Sequence, residues 1–68
     1  MTDLFHDAPV RYDLRDQLRC VTREIRMRKY VYPGWIKSGR MSQWKADQEI
    51  ECMEAVRDTL MNLIAPKP

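Results

Sequence analysis

Glycine is scarce in this chain, two in 68 residues, and histidine and phenylalanine occur once each. No glycine-rich loop can therefore cradle a phosphate, and the lone His6 has no serine, cysteine or carboxylate arrangement to work with. The two cysteines, Cys20 and Cys52, lack Cys-x-x-Cys spacing, so no metal ligand set is present. Neighbouring carboxylates such as Glu51 and Glu54 read as one solvated helix face. No stretch approaches the roughly 18 apolar residues that span a bilayer, and the first residues lack the basic and apolar regions of a signal peptide. These absences set aside catalysis, cofactors, metals and membrane insertion. They predict a cytoplasmic chain with reduced thiols, in which both cysteines act as small buried hydrophobes.

What is present is helical patterning. Residues 1–12 show no sustained period and read as a flexible arm, with Leu4 and Phe5 its main apolar residues. At Asp13 the pattern changes: Asp13 suits an N-cap, and Asp16 suits the positive end of the helix dipole. Leu14, Leu18, Val21, Ile25 and Tyr32 then recur at spacings of three, four or their sum, with Cys20, Met27 and Val31 widening one side. Arg28 interrupts this stripe, its stem packing while the guanidinium reaches the edge.

Pro33 predicts an end or kink at Tyr32, with a short turn over Trp35 and Ile36 and Gly39 suited to C′. Ser42 suits the next N-cap, without a capping box because Lys45 stands three residues on. Ala46, Ile50, Met53, Val56, Leu60 and Leu63 form the second stripe, with Trp44 and Ile64 at its ends. Pro66 and Pro68 close the chain in a disordered tail, 65–68.

The expected fold is thus all-α: an antiparallel hairpin of helices 13–32 and 42–64 around an aromatic corner, 33–41. A domain this small buries a modest share of its surface, and two helices leave half of each stripe wet. Pairing into a four-helix bundle covers both stripes. A homodimer is predicted, with Leu14, Leu18, Val21, Ile25, Ile50, Met53, Val56 and Leu60 as its core and dimer residues.

Charge divides by helix. Residues 11–40 carry nine basic against three acidic groups, a net of +6, while 41–64 carry two basic against five acidic, a net of −3. Arg11, Arg15, Arg19, Arg23 and Arg26 follow helical spacing and draw an arginine ridge beside the apolar stripe. Such a ridge pairs with the acidic second helix, holds phosphates, or meets an acidic protein. The corner adds Tyr30, Tyr32 and Trp35 among Lys29, Lys37 and Arg40, residue types enriched at binding hot spots. The competing role for Tyr32 and Trp35 is to cap the open end of the bundle. Tyr30, Trp35, Lys37 and Arg40 are the predicted partner contacts, and Arg19, Arg23 and Arg26 the electrostatic surface.

The runs Ile25-Arg26-Met27-Arg28, Val31-Tyr32-Pro33, Gly39-Arg40-Met41 and Met53-Glu54-Ala55-Val56, together with Trp35, Ala46-Asp47 and Ile50, resemble small proteins encoded by bacteriophages and prophages of proteobacteria, a group with no established activity. The resemblance covers about half the chain. Members often carry a basic or polar residue where this chain has Gly34, which implies a looser turn here. It implies an accessory protein that binds and redirects a host protein, including a defence or regulatory factor, or that binds nucleic acid. The leading expectation is protein–protein binding to a host factor. The alternatives are a nucleic-acid-binding dimer using the first helix, and a structural assembly component of larger oligomeric state.

Overall fold

A computed structural model describes residues 11–65. The expected arm and tail lie outside the described residues, apart from Arg11, Tyr12 and Ala65. Two helices form the described chain, α1 (Leu14–Lys37) and α2 (Gln43–Ile64), packed on each other as a hairpin with no strand among the described residues. Each starts where the sequence supplies a cap. Asp13 accepts from the backbone N–H of Asp16 at 2.9 Å, and the Asp16 carboxylate accepts from the Asp13 N–H at 3.2 Å. This is a reciprocal capping box in which aspartate replaces the usual glutamate. Ser42 caps α2 by accepting from Lys45 N–H at 3.0 Å.

The hydrogen bond from the Asp16 backbone, helped by the neighbouring Asp16 side chain and Arg15, holds the Asp13 carboxyl below its ordinary pKa. A carboxyl lowered in the folded chain stabilises it above the unfolded pKa, and that contribution disappears as pH falls through the folded one. Acid titration followed by circular dichroism is therefore expected to fray the start of α1. Asp13→Asn, a neutral cap of similar strength, is expected to flatten that part of the acid response.

The first helix does not end at Tyr32, as Pro33 led us to expect; it continues through Pro33 to Lys37. Pro33 removes only one backbone donor, and it lies on an exposed face where water can satisfy the carbonyl left over. Continuation places Ile36, half-buried, one turn beyond the buried Tyr32, and sets the Tyr32 and Trp35 rings 5.7 Å apart between centroids. The end is then closed by backbone geometry. Gly39 N–H donates to Ile36 O at 3.1 Å and Arg40 N–H to Trp35 O at 2.9 Å, a Schellman closure with Gly39 at C′ and φ +81°. The expected corner of 33–41 shrinks to five residues, 38–42.

The two glycines therefore carry opposite expectations. Gly39 occupies the left-handed region, where a Cβ costs roughly 1–2 kcal/mol. Gly34 is inside α1 with open space where a Cβ would stand. Gly34→Ala is expected to raise stability by about 0.5–1 kcal/mol through helix propensity, and Gly39→Ala to lower it by a similar or larger amount. Thermal melts of the two variants check both signs.

The contact between helices is a narrow seam. In α1 it runs through Leu14, Leu18, Val21, Ile25, Arg28 and Tyr32; in α2 it runs through Ala46, Ile50, Met53, Arg57, Leu60 and Ile64. Both alternate spacings of four and three, as coiled-coil seams do. Ile25, Tyr32, Ala46 and Leu60 are buried and the others half-buried. The second stripe differs from the expected one in a specific way: Arg57 occupies the seam position, while Val56 is 42% exposed and Leu63 exposed. Arg57 packs its stem inward and directs its head to Asp58 at 3.5 Å and Glu54 at 4.0 Å. Cys20 and Cys52 are likewise exposed free thiols, which corrects their reading as buried hydrophobes. Both sit on the flank of the seam, one step outside the line that the opposing helix covers.

Candidate functional site

Two ion pairs mark the edges of the seam. On one side Arg28, whose Nε binds Glu24 at 3.3 Å, reaches Glu49 at 3.7 Å; on the other Lys29 reaches Glu54 at 3.2 Å. Arg28 also donates from Nη1 to the Tyr32 hydroxyl at 2.9 Å. That hydrogen bond, reinforced by Glu24, raises the guanidinium pKa further above its already high ordinary value. This side chain is thus a fixed cation that supplies a partner for the hydroxyl of a buried tyrosine.

The arginine ridge lies beyond the Lys29 edge. Arg11, Arg15, Arg19, Arg23 and Arg26 are all exposed. Of these five, only Arg19 makes an ion pair among the described residues, with Asp16 at 3.0 Å on its own helix. The acids of α2 nearest α1 are already engaged: Glu49 by Arg28 and Lys45, and Glu54 by Lys29 and Arg57. The described residues show no pairing of the ridge with the acidic second helix.

Continuation of α1 through Pro33 changes the geometry of the predicted contacts. At ~100° per residue, Arg19, Arg23, Arg26, Tyr30 and Lys37 fall within about 60° of arc. They form one basic face, begun by Arg15 and about 33 Å long at ~1.5 Å per residue. Tyr30, 84% exposed, stands between Arg26 and Lys37 on that face. An exposed tyrosine flanked by guanidinium and ammonium groups offers a planar apolar contact within a cationic field, a composition suited to an acidic surface. Had the helix stopped at Tyr32, Lys37 would have no fixed place in this line.

The other two predicted contacts lie elsewhere. Trp35 is on the opposite flank of α1, leaning on Tyr32 with part of its ring exposed. Arg40 is in the connecting corner and exposed. The four residues therefore divide into Tyr30 and Lys37 on the ridge, Trp35 across the helix from it, and Arg40 at the turn.

Sequence reasoning did not single out the flank on which Trp35 stands as a surface. Cys20, Met27 and Val31 of α1 share it with Cys52, Val56 and Leu63 of α2, on the Arg28–Glu49 side of the seam. Val31 is half-buried, and the other five are exposed. Its part nearest the start of α1 is an open groove of about 770 Å³ over Val21, Val56 and Leu60, bordered by Gln17 and Cys20 and, at its outer rim, by Asp16, Arg19 and Arg23. The available signal was Cys20, Met27 and Val31, which widened one side of the first stripe. They look like redundancy in one helix, and become a surface only when both helices are oriented.

No helix among the described residues is long and apolar enough to cross a membrane. No family model, curated protein or solved structure matches the chain.

Proposed function

We propose that this chain is a small interaction protein, not an enzyme: two hairpins joined as a four-helix bundle that occupies an acidic surface of a protein partner with the basic face of α1. The observation that carries the reading is the continuous face from Arg15 to Lys37, with Tyr30 exposed within it and no counter-ion from α2 among the described residues. The exposed apolar flank supports pairing of two hairpins, because it gathers Met27, Val56 and Leu63 on one side of a very small domain. Resemblance to phage and prophage proteins supports a host factor in the bacterial cytoplasm as the partner.

Affinity capture with the folded full chain tests the reading, comparing it with Tyr30→Ala. A stoichiometric acidic protein retained by the parent and depleted at least tenfold in the variant is the expected result. Tyr30 is almost wholly exposed, so its truncation leaves the fold intact. Failure to retain any stoichiometric protein, alongside a low-salt mobility shift on DNA or RNA, would transfer the same face to nucleic acid.

A further inference from the structure

The hairpin's charge asymmetry determines how a second copy sits on the apolar flank. We infer that the two copies pack with their corners at the same end, α1 of each against α2 of the other. The inference rests on the pairing proposed above and adds its orientation.

Three observations lead there. The flank is apolar on both helices, through Met27 on α1 and Val56 and Leu63 on α2, so one copy offers a two-helix surface and not a single strip. Of the charges on it, Glu24, Arg28, Glu49 and Lys45 are two of each sign and bridged inside one hairpin, and Arg19 is paired with Asp16. Arg23 borders the groove at its outer rim, where the acidic helix of a second copy can meet it. Outside it the helices differ strongly, with a net of +6 over 11–40 and −3 over 41–64.

A closed pair of identical faces has its twofold axis in the interface. If the axis crosses the helices, α1 lies on α1 and two strongly basic helices meet at the ~8–10 Å of helix packing, about one Debye length at physiological salt. If the axis runs along them, each basic helix lies between two acidic ones. The second arrangement sets helices of opposite net charge together at each helix–helix contact, with like charges meeting only where the two Arg40 corners share an end. Like-charge juxtaposition along whole helices disfavours the first.

Same-end pairing has a consequence for binding. It brings two copies of Trp35 and Arg40 together at one end of the bundle, an aromatic and cationic platform that one copy contributes only by half. The two ridges remain on opposite outer sides. An acidic partner would then meet either ridge singly or the platform through both copies.

Pulsed dipolar spectroscopy decides the orientation, with a spin label on Ser38→Cys in a Cys20→Ser, Cys52→Ser background of the full chain. Same-end pairing predicts a label separation below about 30 Å, whereas opposite ends place the labels more than one ~33 Å helix length apart. Dimer mass with the long distance overturns the orientation and leaves the pairing standing. Monomer mass with no dipolar signal overturns both. An independent readout uses the native thiols, which lie on the covered flank: alkylation of Cys20 and Cys52 in the unmodified chain is expected to slow as protein concentration rises. Rates independent of concentration across the dimer transition would rule out this face as the interface.

Discussion

Reversing three charges at once, Arg19→Glu, Arg23→Glu and Arg26→Glu, is expected to weaken partner binding by about 100-fold or more, equivalent to roughly 2.7 kcal/mol. All three side chains are exposed, and among the described residues their only ion pair is Arg19 with Asp16 on the same helix. Loss of such a pair costs a few tenths of a kcal/mol, so the melting transition should move little. Because the interaction is between solvent-exposed charges, parent binding is also expected to weaken as salt rises, and the variant's residual binding to respond far less. Binding titrations at two ionic strengths, beside thermal melts, separate these effects. Unchanged affinity in the triple variant would remove the basic face from the interface.

The largest effect on folding is expected at Ile25. Only 4% exposed, it fills the middle of the α1 seam, and truncation of a buried isoleucine to alanine costs about 2–5 kcal/mol. Domains hold roughly 0.05–0.15 kcal/mol per residue, so Ile25→Ala removes much of what a chain of this length has. Urea denaturation measures the loss. Val56→Ala is the informative companion, because Val56 is substantially exposed in one hairpin. In a lone hairpin its truncation should cost under about 1 kcal/mol. In a pair covering the apolar flank the cost rises and becomes dependent on protein concentration.

Much of this architecture was legible in the residues. Asp13 and Ser42 announce both helix starts, because a short polar side chain before an apolar period has a well-defined use there. Gly39 announces its left-handed position because other residues resist that backbone. Pro33 misled because sequence shows the missing donor but not whether the orphaned carbonyl faces water. The second stripe misled in a related way. Val56 and Arg57 are both reachable by helical spacing, and hydropathy favours valine, yet the facing surface determines the seam and a long arginine stem can fill it. The candidate surface followed from these differences. Lys37 joins the ridge only because α1 continues, and the flank of Val56 and Leu63 becomes visible only once Arg57 and Ile64 are placed in the seam.

The two arginines in the seam bear on how faithfully the hairpin finds its alignment. Alternating apolar residues at four and three can slide by one heptad, about 10 Å, and still meet apolar residues. Arg28 does not permit that slip quietly. Its guanidinium is bound to Glu49 across the interface and to Glu24 and Tyr32 along its own helix, and a shifted α2 would carry Glu49 away and leave Arg28 only the partners of its own helix. A polar group that finds its cross-helix partner in one register and loses it in the others sacrifices a little stability to favour one alignment of a short, otherwise repetitive interface.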